Sequence, residues 1–69
     1  MTNEKMLREK IADSGYKMVY LAARVGITYQ ALLNKITNKS EFTSSEILTL
    51  SRVLELTSRE RDAIFFGVK

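Results

Sequence analysis

The sequence predicts an all-α protein, a compact five-helix bundle, on three observations. Apolar residues recur at spacings of three and four along the 69 positions, and no segment alternates cleanly between apolar and polar. Pro is absent and Gly stands only at 15, 26 and 67, which suits short capped helices rather than a turn-rich β protein. Two Thr-x-x-Glu boxes, Thr43-Ser44-Ser45-Glu46 and Thr57-Ser58-Arg59-Glu60, have the chemistry of helix starts.

The first helix is expected over Asn3–Ser14, with Met6, Leu7 and Ile11 on its apolar side. Thr2 or Asn3 caps it and Gly15 closes it. The second, Met18–Val25, has Leu21, Ala22 and Val25 on one face and ends at Gly26, a residue at ease in the left-handed conformation. Ile27 is the apolar plug of the turn. Thr28 is a preferred N-cap for a third helix over Tyr29–Thr37, whose buried side is Leu32, Leu33 and Ile36. The loop from Asn38 to Phe42 is polar apart from Phe42, expected to anchor it in the core. The fourth helix opens at the first Thr-x-x-Glu box and carries a stripe of Ile47, Leu50 and Leu54, with Leu48, Val53 and Leu56 beside it. The fifth, Ser58–Phe66, is expected to turn Ala63, Ile64 and Phe66 inward before Gly67 ends it. Residues 1–69 read as a single domain, near the lower size limit for an independent core.

Composition narrows the function classes. The chain has no Cys and no His, so the usual general bases, thiol nucleophiles and soft metal ligands are missing. No enzyme, metal site, cofactor or small-molecule substrate is expected. No apolar run approaches the roughly 18 residues that span a bilayer, and Met-Thr-Asn-Glu-Lys lacks the apolar stretch of a signal peptide. The expectation is a cytoplasmic protein with no membrane role.

Charge points elsewhere. The net charge of +3 is uneven: Lys17, Arg24, Lys35 and Lys39 fall in a stretch from 17 to 39 without a single Asp or Glu. The rest of the chain carries seven basic and eight acidic residues. A basic, carboxylate-free surface is what the phosphates of a nucleic acid require. The same stretch holds two short helices around a Gly-containing turn, with Tyr29, Gln30 and Asn34 set apart from the apolar face. That is the helix-turn-helix pattern, and it makes double-stranded operator DNA the expected partner.

The segment Leu21-Ala22-Ala23-Arg24-Val25-Gly26-Ile27-Thr28 resembles the Leu-Ala-x-x-x-Gly-(Ile/Val)-(Ser/Thr) core of lambda-repressor-like helix-turn-helix regulators. Its continuation, Leu32-Leu33-Asn34-Lys35-Ile36 and then Asn38-Lys39-Ser40-Glu41-Phe42-Thr43, is similar to small Cro-type regulators of phages and prophages. The similarity covers nearly the whole chain. It implies a transcriptional repressor of lambda-repressor-like fold from a phage or prophage. One departure matters: that family often has a phosphate-contacting Gln at the second position of helix two, where this chain has Met18. Lys17 beside it is the candidate substitute.

Individual residues follow from the motif. Thr28, Tyr29, Gln30 and Asn34 are candidate base contacts: a Gln or Asn amide matches adenine N6 and N7, and a Tyr ring packs on a thymine methyl. The alternatives are a folded-down ring for Tyr29, a purely capping Thr28 and a solvated Asn34. Lys35, Asn38 and Lys39 are candidate phosphate contacts, against ordinary solvated polar groups. Arg24 and Tyr20 stay open between solvent and phosphate, and Leu33 reads as core. Phe65 and Phe66 point about 100° apart on a helix, so either both rings wrap the edge of the core or one is left for a partner chain. With Val68, and Ile64 beside them, they form a candidate homodimer contact that would match a two-fold operator. The alternative function is a protein-interaction module, an antirepressor or modulator that binds a partner repressor.

Overall fold

Side-chain caps mark the starts of four of the five helices in the computed structural model, α2 being the exception; the structure describes residues 1–68. Helix α1 spans Glu4–Ser14, with Asn3 outside it as the cap, accepting from the Met6 N–H. The Asn3 N–H itself donates to the Ile64 carbonyl at 2.7 Å, fixing the start of the chain to the last helix. Helix α2 runs Met18–Val25. Gly26 follows at φ 87°, and the N–H groups of Gly26 and Ile27 both return to the Ala22 carbonyl, at 2.9 and 3.0 Å.

Helix α3 is Tyr29–Ile36, capped by the Thr28 hydroxyl, which accepts from the Ala31 N–H at 3.0 Å. It ends one residue before the expected Thr37. Helices α4, Ser44–Val53, and α5, Ser58–Phe65, both open with complete capping boxes. In each, the threonine hydroxyl accepts from the N3 amide while the glutamate accepts from the threonine amide at 2.9 Å. Leu54, expected within the α4 stripe, is instead the residue just past the helix, and it is still buried. Among the described residues all regular structure is helical.

The apolar faces converge on one core. Leu7, Leu21, Leu32, Ile36, Leu50 and Ile64 are completely buried, so all five helices contribute to it. Helix α2 packs on both α3 and α4, while α5 closes the bundle against α1 and α4. The radius of gyration, 10.7 Å, matches the roughly 11 Å expected of a folded domain this long. Phe42 does anchor its loop: it lies edge-on to Phe65 with ring centroids 5.3 Å apart.

The two terminal phenylalanines correct the expected phase of α5. Phe65, not Phe66, turns inward, at 5% exposure against 58%. Ile64 and Phe65 share the buried side of α5, and the next residue lies about 100° further round, so Phe66 faces solvent. Phe65 and Ile64 are therefore core residues and drop out of the candidate dimer face, which retains Phe66 and Val68.

Candidate nucleic-acid interface

Helix α3 divides its side chains cleanly. Leu32 and Ile36 are sealed in the core, and Thr28, Tyr29 and Gln30 face solvent in and just before its first turn. Tyr29 is 48% exposed, so its ring does not fold down. Asn34 is half-buried one turn further on, and the Gln30 Nε2 donates to its Oδ1 at 2.9 Å. The two amides thus form a connected pair on the surface, spaced i, i+4 as helix geometry requires. Thr28 is committed to capping through Oγ1 and remains exposed. Leu33, expected in the core, is half-buried at the edge of this ridge.

The expected phosphate ligands separate into two groups. Lys17 precedes α2 and Lys39 follows α3; both are exposed, and among the described residues neither has an ion-pair partner. The other two are occupied. Lys35 Nζ lies 2.6 Å from Glu46 Oε1, with the two side chains only 15% and 12% exposed. That ammonium ties α3 to the start of α4 and is turned toward Glu46 rather than outward. Asn38 sits at φ 67°. Its side chain accepts from the Thr2 N–H and donates to the Thr2 carbonyl, each at 2.9 Å. Its amide staples the chain start to the loop after α3.

Glu46 is the hub of the local electrostatics. The same oxygen accepts from Lys35 and from the Thr43 backbone N–H. Burial works against its charge, but the Lys35 ammonium and the Thr43 amide outweigh that and hold its pKa below the ordinary 4.5. Glu60 is also lowered, first by its hydrogen bond from Lys10 and then by the Thr57 amide. Lys10, on α1, is raised by the same contact.

No family model, curated protein or solved structure matches this chain. The site therefore rests on its own geometry, and that geometry includes a feature the sequence reading left unassembled. Tyr16 and Tyr20 stack with centroids 5.0 Å apart, and Arg24 sits 5.8 Å over the Tyr20 ring. The Arg24 guanidinium also donates to the Tyr20 hydroxyl at 2.8 Å. These three residues form one exposed row beside Lys17, and their spacing at 16, 20 and 24 was the available signal. Tyr20 thus has Tyr16 stacked on its ring and the Arg24 guanidinium at its hydroxyl. The segment from 17 to 39 contains no carboxylate, so Arg24 is neutralised by no acid of its own segment.

Proposed function

We propose that this chain is a sequence-specific, double-stranded DNA-binding transcriptional regulator, a Cro-like repressor. In this reading α2, the Gly26 turn and α3 act as a helix-turn-helix, and α3 enters the major groove of an operator. The observation that carries it is the outward ridge of Tyr29, Gln30 and Asn34 on a short helix whose opposite side is locked in the core. Hydrogen-bonding side chains on a rigid helix of this width fit a groove about 12 Å wide. Thr28 borders the ridge, and Lys17 and Lys39 stand at the approaches of α2 and α3, where they set the register on the phosphates. Repression is steric, by occupation of a promoter-overlapping operator in the cytoplasm of the host of a phage or prophage. No cofactor, metal, substrate or catalytic step enters the proposal.

Exposed apolar side chains favour a protein contact in addition. Leu48 is 45% exposed and lines one shallow surface depression with Phe66, while Val68 is exposed nearby in sequence. In a homodimer this face pairs two copies on a two-fold operator. In the second reading, a modulator, the same face engages a partner repressor and DNA contact is secondary.

Selection from a pool of duplexes with randomised centres, at two salt concentrations, tests the proposal. A recovered consensus that binds at least 10³-fold tighter than random duplex at the higher salt supports it, as specific regulators do. Binding that is uniform over sequence and vanishes with salt shows charge-driven sticking alone. No duplex binding at either salt leaves the modulator reading in its place.

A further inference from the structure

Resting on the groove-reading role of α3, we infer that Asn34 is a positioning residue that makes Gln30 select adenine over guanine. The argument is a count of donors and acceptors. An unconstrained glutamine amide offers two N–H donors and one carbonyl oxygen. In this structure one Gln30 N–H is committed to Asn34 Oδ1, at 2.9 Å, while the Gln30 side chain stays exposed. What Gln30 has left is one N–H and its Oε1. Adenine presents one acceptor, N7, and one donor, the N6 amino group, in the major groove. Guanine presents two acceptors, N7 and O6.

The tethered amide therefore matches adenine with both of its remaining groups. Against guanine it meets a second acceptor with its own oxygen, which is repulsive. An untethered amide escapes that clash by turning both N–H groups to guanine. With one N–H held by Asn34 Oδ1, that escape costs the Gln30–Asn34 bond. The same bond turns the Gln30 nitrogen toward Asn34, so less order is lost when the base pair docks. The role belongs to the Asn34 side chain alone. Its backbone carbonyl separately accepts the Lys39 and Ser40 amides, at 2.8 and 3.3 Å, and those bonds survive side-chain replacement.

The experiment is the randomised-duplex selection repeated on the full chain for wild type, Asn34→Ala, Asn34→Asp and Gln30→Ala, with melting temperature recorded for each. The readout is the adenine-to-guanine ratio at the position whose preference disappears in Gln30→Ala. Wild type is expected to favour adenine there, and Asn34→Ala to lower that ratio about twofold, the worth of an exposed i,i+4 amide pair, with the melting temperature nearly unchanged. Asn34→Asp retains an acceptor for the Gln30 N–H, so it restores the ratio even as its added negative charge weakens binding to every duplex. A merely structural Asn34 would lower affinity without altering the ratio. An unaltered ratio in Asn34→Ala, or guanine favoured by wild type, overturns the inference while α3 keeps its groove-reading role. A selection in which Gln30→Ala loses no base preference also overturns the inference, and one that recovers no consensus for wild type overturns the groove-reading role with it.

Discussion

Replacing Lys35 with Met separates a structural ammonium from a phosphate-binding one. The stem of the side chain and its helix propensity are kept, and only the charge is removed. In the structure that charge lies 2.6 Å from Glu46 Oε1, with both side chains at least 85% shielded from solvent. Exposed pairs contribute about 0–1 kcal/mol, and breaking a fully buried one costs about 3–5 kcal/mol because a charge is stranded. Glu46 keeps its Thr43 N–H donor after the change, so the cost falls between these limits, at about 1.5 kcal/mol. For a domain this size that lowers the melting temperature by about 6–12 °C. The assay is thermal unfolding by circular dichroism, paired with the salt dependence of binding to a random duplex. A phosphate ligand contributes about 0.9 to the slope of log affinity against log salt. The structure predicts a lower melting temperature and an unchanged slope. An unchanged melting temperature with a slope reduced by about one would refute the assignment.

Three further predictions follow from the same contacts. Lys39→Ala should weaken specific and random duplex alike and reduce the salt slope by about 0.9, since its ammonium is exposed and outside every ion pair of the described residues; loss confined to the specific duplex would contradict this. Glu46 and Glu60 have native pKa values below the ordinary 4.5, so their contribution to stability is complete above that value and is lost as pH falls through the lowered ones. Melting temperature should therefore hold to about pH 5 and drop below it, with a shallower drop in Glu46→Gln; a rise on acidification would count against both ion pairs. Ser51 buries a hydroxyl with no hydrogen-bond partner inside α4, so Ser51→Ala should keep or raise stability, by up to about 1 kcal/mol, in the same melting assay. A fall of more than about 1 kcal/mol would show that the hydroxyl has a partner.

Much of the fold was legible because its signals are local. The boxes at Thr43 and Thr57, the cap at Thr28 and the stops at Gly15 and Gly26 act within four residues of themselves, and the structure uses every one. The α5 terminus was harder. Adjacent phenylalanines point about 100° apart, and which of them faces inward depends on the rotation of α5 against α1 and α4, a tertiary fact that spacing within the helix does not encode. The candidate site divides along the same line. Exposure of Tyr29 and Gln30 follows from the period of α3, whereas the Lys35–Glu46 and Asn38–Thr2 contacts join residues 11 and 36 positions apart. No periodicity encodes such tertiary partners, so both residues read as surface polar groups. The Tyr16–Tyr20–Arg24 row was readable from spacing, since stacking and hydrogen bonding between i and i+4 are helix-local.

The most direct measurement is a backbone-amide NMR titration of the whole chain with the duplex recovered by selection. The groove-reading account predicts perturbations concentrated from Thr28 to Asn34, with smaller ones at Lys17 and Lys39 and none at Leu50 or Ser51. Perturbations centred on Leu48, Phe66 and Val68, with α3 silent, would contradict it.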